Sequence, residues 1–247
     1  GGLMGHCLFL RKGEVHTAPV TGVLASSLAV GSTVKLMECG TAVEYLVVNQ
    51  GIPENSSLYD ASCNGTWLLR KDVHSNRKWH DSNVNKYETS AINTWLNGDF
   101  FNSLGSAEQA AIKQVKIPYR KNGGSGGTGQ SGANGLLCKI FLLGCHEVGW
   151  TTSDSSHFYV DGAKLSYFEF GIGTSAKNKR IANLNGSASI WWLRSPYNDN
   201  TSNVWVVGSN GVYGSHYASN SNGIRPALIL PKTALFDETT MLLKGVK

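Results

Sequence analysis

Apolar residues recur along the chain with two different periods, and the change of period divides it. From Gly31 the alternation sharpens. Val34, Leu36, Val43, Tyr45, Val47 and Val48 fit the two strands of a hairpin whose turn is Glu38-Cys39-Gly40-Thr41. Trp67-Leu68-Leu69-Arg70 is a short apolar run of the kind that a buried strand carries. Helical spacing follows. Ser90 is placed to cap a helix bearing Ile92, Trp95 and Leu96 and stopped by Gly98. Ser106 is placed to cap a second, with Glu108 in its first turn and Ala111, Ile112 and Val115 along one face. Beyond Pro118, residues 122–135 are dominated by Gly, Ser, Thr and Asn and predict a mobile loop. The rest reads as strand and turn. Residues 139–143 and 191–194 predict buried strands, and 224–230 a closing one. Residues 204–207 and 212–213 flank Gly208-Ser209-Asn210-Gly211, where Asn-Gly predicts a hairpin turn. Helices early and strands late predict an α+β fold with short antiparallel sheets, two helices and long loops. Residues 1–30 lack a strong period and read as an N-terminal arm or docking segment, which leaves 31–247 as the domain.

Composition narrows the class. With 247 residues the chain can bury a core without a metal or a disulfide framework. Only 16% of residues are charged, 29 are glycine and 10% are aromatic, a profile unlike a disordered chain or a helical bundle. The net charge of +5 is mild, and Lys113, Lys116, Arg120 and Lys121 are interleaved with apolar residues. Nucleic acid would need a concentrated basic face, so it is not an expected partner. No run of 18 apolar residues offers a membrane span. Cys7, Cys39, Cys63, Cys138 and Cys145 are odd in number and form no CxxC pair, which fits mostly reduced, buried thiols made in a reducing cytosol.

Catalytic patterns are scarce. Gly124-Ser125-Gly126-Gly127-Thr128-Gly129 matches a dinucleotide fingerprint, but the following residues read as a strand, where pyrophosphate binding needs a helix N-terminus. The seven histidines are scattered; His146-Glu147 has no second His at helical spacing, and His74 and His80 lie near Asp72 and Asp81 by sequence only. There is no Gly-x-Ser-x-Gly elbow, and Cys138 and Cys145 sit in apolar contexts. No catalytic residue, metal or cofactor is expected, and binding is favoured over enzymatic activity.

The informative stretch is 191–230. Between apolar ends lie Asn198, Asn200, Asn203, Asn210, Asn220 and Asn222, with Ser202, Ser209, Ser215, Ser219 and Ser221. Tyr197, Trp205, Tyr213 and Tyr217 stand among them as aromatics expected at the surface. Polar turns alone account for Ser209-Asn210-Gly211. They do not account for the aromatics beside them, whereas recognition surfaces combine rigid Tyr and Trp with adaptable Ser and Asn.

Trp191-Trp192-Leu193-Arg194-Ser195-Pro196, an insert, and then Gly223-Ile224-Arg225-Pro226-Ala227-Leu228 form a frame. With Tyr59-Asp60-Ala61-Ser62-Cys63, Thr66-Trp67-Leu68-Leu69-Arg70, Thr94-Trp95-Leu96-Asn97, Ile112 to Tyr119 and Glu147-Val148-Gly149-Trp150-Thr151-Thr152, it resembles phage and prophage tail-associated proteins of C-type-lectin fold. The resemblance runs from about residue 31 onward and is nearest to the variable proteins of diversity-generating retroelements, in the subgroup related to formylglycine-generating enzymes. It implies a fixed scaffold displaying a diversified surface over about 190–222. The ligand-contacting positions would be Tyr197, Asn198, Asp199, Asn200, Thr201, Asn203, Trp205, Ser209, Asn210, Tyr213, Ser215, His216, Tyr217, Ser219, Asn220 and Asn222. Trp205, Tyr213 and Tyr217 would be the main anchors.

The implied partner is a host cell-surface protein or glycan, with virion tail proteins met through the N-terminal segment. The implied location is a phage tail or a cell surface, after synthesis in the bacterial cytoplasm. Trp205 departs from the scheme, because adenine substitutions in an Asn codon cannot give Trp. The Glu-Pro-Asn or Gln-Pro-Asp loop and Trp-Asn-Asp run of calcium-dependent lectins are missing, Pro53-Glu54-Asn55 being scrambled, so no calcium site is implied. A constant structural tail protein is the alternative. Formylglycine-generating enzymes depend on cysteines near the C-terminus, and here none follows Cys145.

Overall fold

The structure, a computed structural model, describes residues 21–247. Strand β1 (Val23–Leu24) leads to β2 (Thr33–Glu38) and β3 (Thr41–Gln50), which form the predicted hairpin. Its turn residues Cys39 and Gly40 both have positive φ, the geometry that matches the twist of a two-residue hairpin. β4 (Thr66–Arg70) and the short, polar β5 (Ser75–Lys78) follow.

Ser90 caps α1 (Ala91–Trp95) as predicted, its Oγ accepting from Asn93 N at 3.1 Å. Gly98 does not stop the helix. The chain continues through a π-turn over Leu96–Phe100 into α2 (Phe101–Ser103), because Leu96 and Phe100 are buried and packing outweighs the glycine's low propensity. α3 (Ser106–Ala111) also departs from expectation. Its N-cap is Gly105, with no side-chain cap, and Val115 belongs to the next strand. The buried Glu108 instead accepts from Met37 N at 2.9 Å, tying the helix to β2.

Short pairs come next: β6 (Val115–Ile117), β7 (Tyr119–Lys121), β8 (Thr128–Gln130), β9 (Leu136–Cys138) and β10 (Ile140–Phe141). Residues 122–135, expected to be a mobile loop, are instead tied down. β8 pairs with β7, Asn122 N donates to Glu88 Oε1 and Gly124 N donates to Asn85 Oδ1. A further helix, α4 (Thr174–Arg180), was not predicted; its burial rests on Ala176 and Arg180 alone, too few apolar positions to give a period.

β11 (Ala182–Leu184), β12 (Ser187–Ser189), β13 (Trp191–Pro196), β14 (Asn203–Val207), β15 (Tyr213–Tyr217), β16 (Ser221–Ile224), β17 (Ala227–Leu230), β18 (Ala234–Phe236) and β19 (Leu243–Val246) complete the chain. The α+β expectation therefore holds, with more helix than foreseen. Two five-stranded sheets dominate, ordered β10-β17-β4-β3-β2 and β15-β14-β13-β16-β5. All pairings in them are antiparallel except β13 with β16. Residues 21–30, part of the expected arm, join the domain: β1 pairs with β18 and Ala25 is buried. Residues 1–20 of that expected arm lie outside the described residues.

The frame noticed in sequence is where the chain crosses between the two large sheets. β16 and β17 are separated by Arg225 and Pro226, and Arg225 is buried. Its Nε donates to Arg70 O at 2.7 Å, its Nη2 to Lys71 O at 3.0 Å, and its guanidinium lies 4.9 Å from the Trp191 ring centroid. Gly223 sits against the Ile190 carbonyl, to which its N–H donates at 3.0 Å, and any Cβ there would press on Val73.

Candidate functional site

β13 is buried along its whole length, including a charge. A buried guanidinium is tolerated only when its donors are paired. Arg194 Nη1 meets Glu147 Oε1 and donates to Leu142 O at 2.9 Å; Nη2 donates to Asp161 O at 2.7 Å and Nε to Pro118 O at 3.1 Å. Glu147 also accepts from Tyr59 Oη at 2.6 Å and Gly144 N at 2.8 Å. Burial opposes the Arg194 charge, but Glu147 and Asp161 outweigh it and hold the guanidinium more firmly protonated than usual. Burial raises the Tyr59 hydroxyl well above its ordinary value, and Glu147 adds to that. Asp161 is pushed up by burial too; Oδ2 accepts from Ser195 Oγ at 2.6 Å, while Oδ1 has no partner. This network pins the loops at 142–163 to the sheet.

The hairpin β14–β15 carries the candidate positions. Its five cross-strand pairs run without a bulge from Asn203↔Tyr217 to Val207↔Tyr213. Residues 203, 205 and 207 therefore share a face with 213, 215 and 217. Trp205, expected at the surface, is 4% exposed. It lies 4.3 Å from Phe158 and 4.9 Å from Tyr197 between ring centroids, and its indole donates to His157 O at 3.3 Å. Its apolar area outweighs the polar character of its neighbours, and it is scaffold. Asn222 is also covered, at 8%, and bonds to His216 Nδ1 at 2.9 Å. Tyr213 is half-buried, edge-on to Trp150 and Phe158, with its hydroxyl on Asp154 O at 3.3 Å. Tyr217 is 53% exposed.

One end of this sheet is a polar corner. Asn85, buried, donates through Nδ2 to Asn200 O at 3.0 Å and Asn203 O at 2.9 Å, while its Oδ1 takes Gly124 N at 3.0 Å. Gly124 is required there, because a side chain would collide with the carbonyls of Tyr197 and Asn200. Asn200 Oδ1 accepts from Ser202 N and Asn203 N, closing its own turn. Asn83 Oδ1 holds Ser219 through its N–H at 3.2 Å and its hydroxyl at 2.5 Å. Between these loops lies a depression of about 400 Å³, lined by Asn83, Val84, Asn85, Lys86, Asn122, Ser125, Gly126 and Thr201. Asp199 is exposed and pairs with His157 Nδ1 at 3.2 Å.

The corner gathers Tyr197, Asn198, Asp199, Asn200, Thr201, Asn203, Tyr217, Ser219 and Asn220. Ser209 and Asn210 stand at the opposite end of the hairpin, where Gly211 packs on the backbone of Lys177 in α4. The five residues of β15 separate the two ends by about 17 Å at the usual antiparallel rise. Asn83, Asn85 and the Gly123–Gly126 run were missed. Their signals were the Asn-x-Asn pair at 83–85 and a glycine run read as loose chain.

Four cysteines are free among the described residues; Cys39 is exposed and Cys63, Cys138 and Cys145 are buried. Burial pushes the Cys63 thiol up to about 12 and raises Cys138 and Cys145 as well, so these three stay as thiols. Among the described residues no group of three His, Cys, Asp or Glu is placed to hold a metal, and no helix is long and apolar enough to cross a membrane.

Residues 64–232 match the family described as a domain of unknown function, DUF6273. That is more than half of the chain, and the chain belongs to this family. No curated protein and no solved structure matches it. The matched region contains both halves of the frame, the hairpin and the polar corner.

Proposed function

We propose that this protein is a recognition module and not an enzyme, a fixed scaffold that presents its polar corner to a ligand. One observation carries the reading. Side-chain bonds from Asn85, Asn83 and Asn200 hold the corner's backbone, while Thr201, Tyr217 and Asn220 are exposed and enter no side-chain hydrogen bond among the described residues. Such positions accept substitution at little cost in stability, as a displayed surface requires. The separation of scaffold and display supports the finer reading of a C-type-lectin-like fold with a diversified region. On that reading the ligand is a protein or glycan on a host cell, contacted from a phage or prophage tail. A docking segment then narrows to the residues before Thr21.

Deep sequencing of the 3′ end of the gene in the population that carries it tests this. The expected result is substitution at codons 198, 199, 201, 209, 210, 217 and 220, with Trp205 and both halves of the frame constant. An invariant stretch would overturn diversification and leave a constant tail component with one fixed partner.

A further inference from the structure

We propose that a second copy of this chain pairs along the outer edge of β15. Among the described residues β15 ends its sheet and no strand lies on its outer side. Bare edges are usually blunted by charge, proline or a bulge. The opposite edge of the same sheet, β5, is blunted in this way, with Arg77 and Lys78 exposed. β15 reads Tyr-Gly-Ser-His-Tyr, has no proline or formally charged residue, and keeps unbroken register with β14.

The phase of its hydrogen bonds can be fixed. Gly208 N donates to Val212 O at 2.7 Å, and Ala218 N to Ser202 O at 2.9 Å. Bonding in an antiparallel pair alternates residue by residue. Val212, Gly214, His216 and Ala218 therefore bond toward β14, and the backbone groups of Tyr213, Ser215 and Tyr217 face outward. The Tyr217 carbonyl also accepts from Asn220 N at 2.9 Å, which leaves its second lone pair.

The outward-facing set is self-complementary. Antiparallel pairing about a two-fold axis at Ser215 sets Ser215 against itself and Tyr213 against Tyr217 of the second copy. Aromatic and hydroxyl cross-strand pairs are both favourable, and no like charges meet. The pairing also answers how the candidate positions relate. Its antiparallel sense brings the Ser209–Asn210 turn of each copy beside the Tyr217–Asn220 corner of the other, uniting positions that one chain holds at opposite ends. The strand pair alone buries less than the roughly 1,200 Å² of a standard interface, so association depends on concentration.

The edge geometry carries this pairing whether or not the corner binds a ligand, so it is measured without one. Sedimentation velocity of the full chain over a concentration series should show a monomer–dimer equilibrium. Ser215→Lys and Ser215→Glu each set like charges opposite one another across the axis, and each should sediment as a monomer. An equimolar mixture of the two variants should dimerise again, which a folding defect cannot explain. A wild-type chain that stays monomeric throughout, a Ser215→Lys chain that dimerises like wild type, or a mixture that stays monomeric overturns the proposal.

Discussion

In β13 all six residues are buried, while in β15, with only β14 between them, none of the five is. The two strands belong to one sheet and differ in what surrounds them. β13 is sealed by the loops its own Arg194 holds, and β15 has nothing paired to its outer side among the described residues. Burial and exposure are thus divided between two strands of one sheet. A change in β13 acts on the whole fold, and a change at the tip of β15 acts on the surface alone.

The largest effect should come from Arg194→Met, which leaves Glu147 buried without its cation. A loss of about 3–5 kcal/mol is expected in chemical denaturation, enough to unfold a marginal domain. Trp205→Ala comes next, at about 3–4 kcal/mol, because it opens a cavity beside Phe158 and Tyr197. If it unfolds no more easily than wild type, the residue is displayed and the division fails. Asn85→Ala should cost about 1–3 kcal/mol by orphaning Gly124 N and taking one of two donors from each of the Asn200 and Asn203 carbonyls, which keep Ser125 N and Tyr197 N. Proteolysis near residues 123–126 should then become faster.

Tyr217→Ala should change stability by less than about 0.5 kcal/mol, whereas Tyr213→Ala should cost about 1–2 kcal/mol in chemical denaturation. Equal losses for the two tyrosines would show that the strand is not graded from core to surface.

The smallest effect is a slope with pH. Burial beside Trp95 and Phe100, helped by the nearby Arg70, holds the His74 imidazole below its usual 6.5. The folded state therefore binds the proton less readily than the unfolded chain. The stability this contributes is intact above 6.5 and lost as pH falls below it. Denaturation midpoints measured from about pH 7.5 down to pH 5 should fall, and less steeply in His74→Phe.

Much of the scaffold was legible in the sequence. Alternation placed the β2–β3 hairpin, Cys39-Gly40 marked its turn, and the unbroken apolar run before Arg194 marked a buried strand. These are local signals, set by strand period and by the few residues that accept positive φ. Side chains whose partners are distant in sequence were not legible. Asn85 meets Asn200 across 115 residues and Gly124 across 39, and nothing in a polar tripeptide announces such partners. The glycine run looked loose for the same reason: composition records freedom in the unfolded chain, and tight packing against Tyr197 needs the same residues.

Aromatics were the other failure. Trp205, Tyr213 and Tyr217 look alike in a run of Asn and Ser, yet only Tyr217 is exposed. Alternation alone puts all three on one face of the hairpin. The cover that separates them comes from Phe158 and Trp150, on segments more than 40 residues away. By itself the sequence determined the fold class and the hairpin turns, because each follows from neighbours along the chain. Tertiary structure alone decided which polar side chains are scaffold, which ring faces water and which strand edge stays open. Those depend on what folds against them.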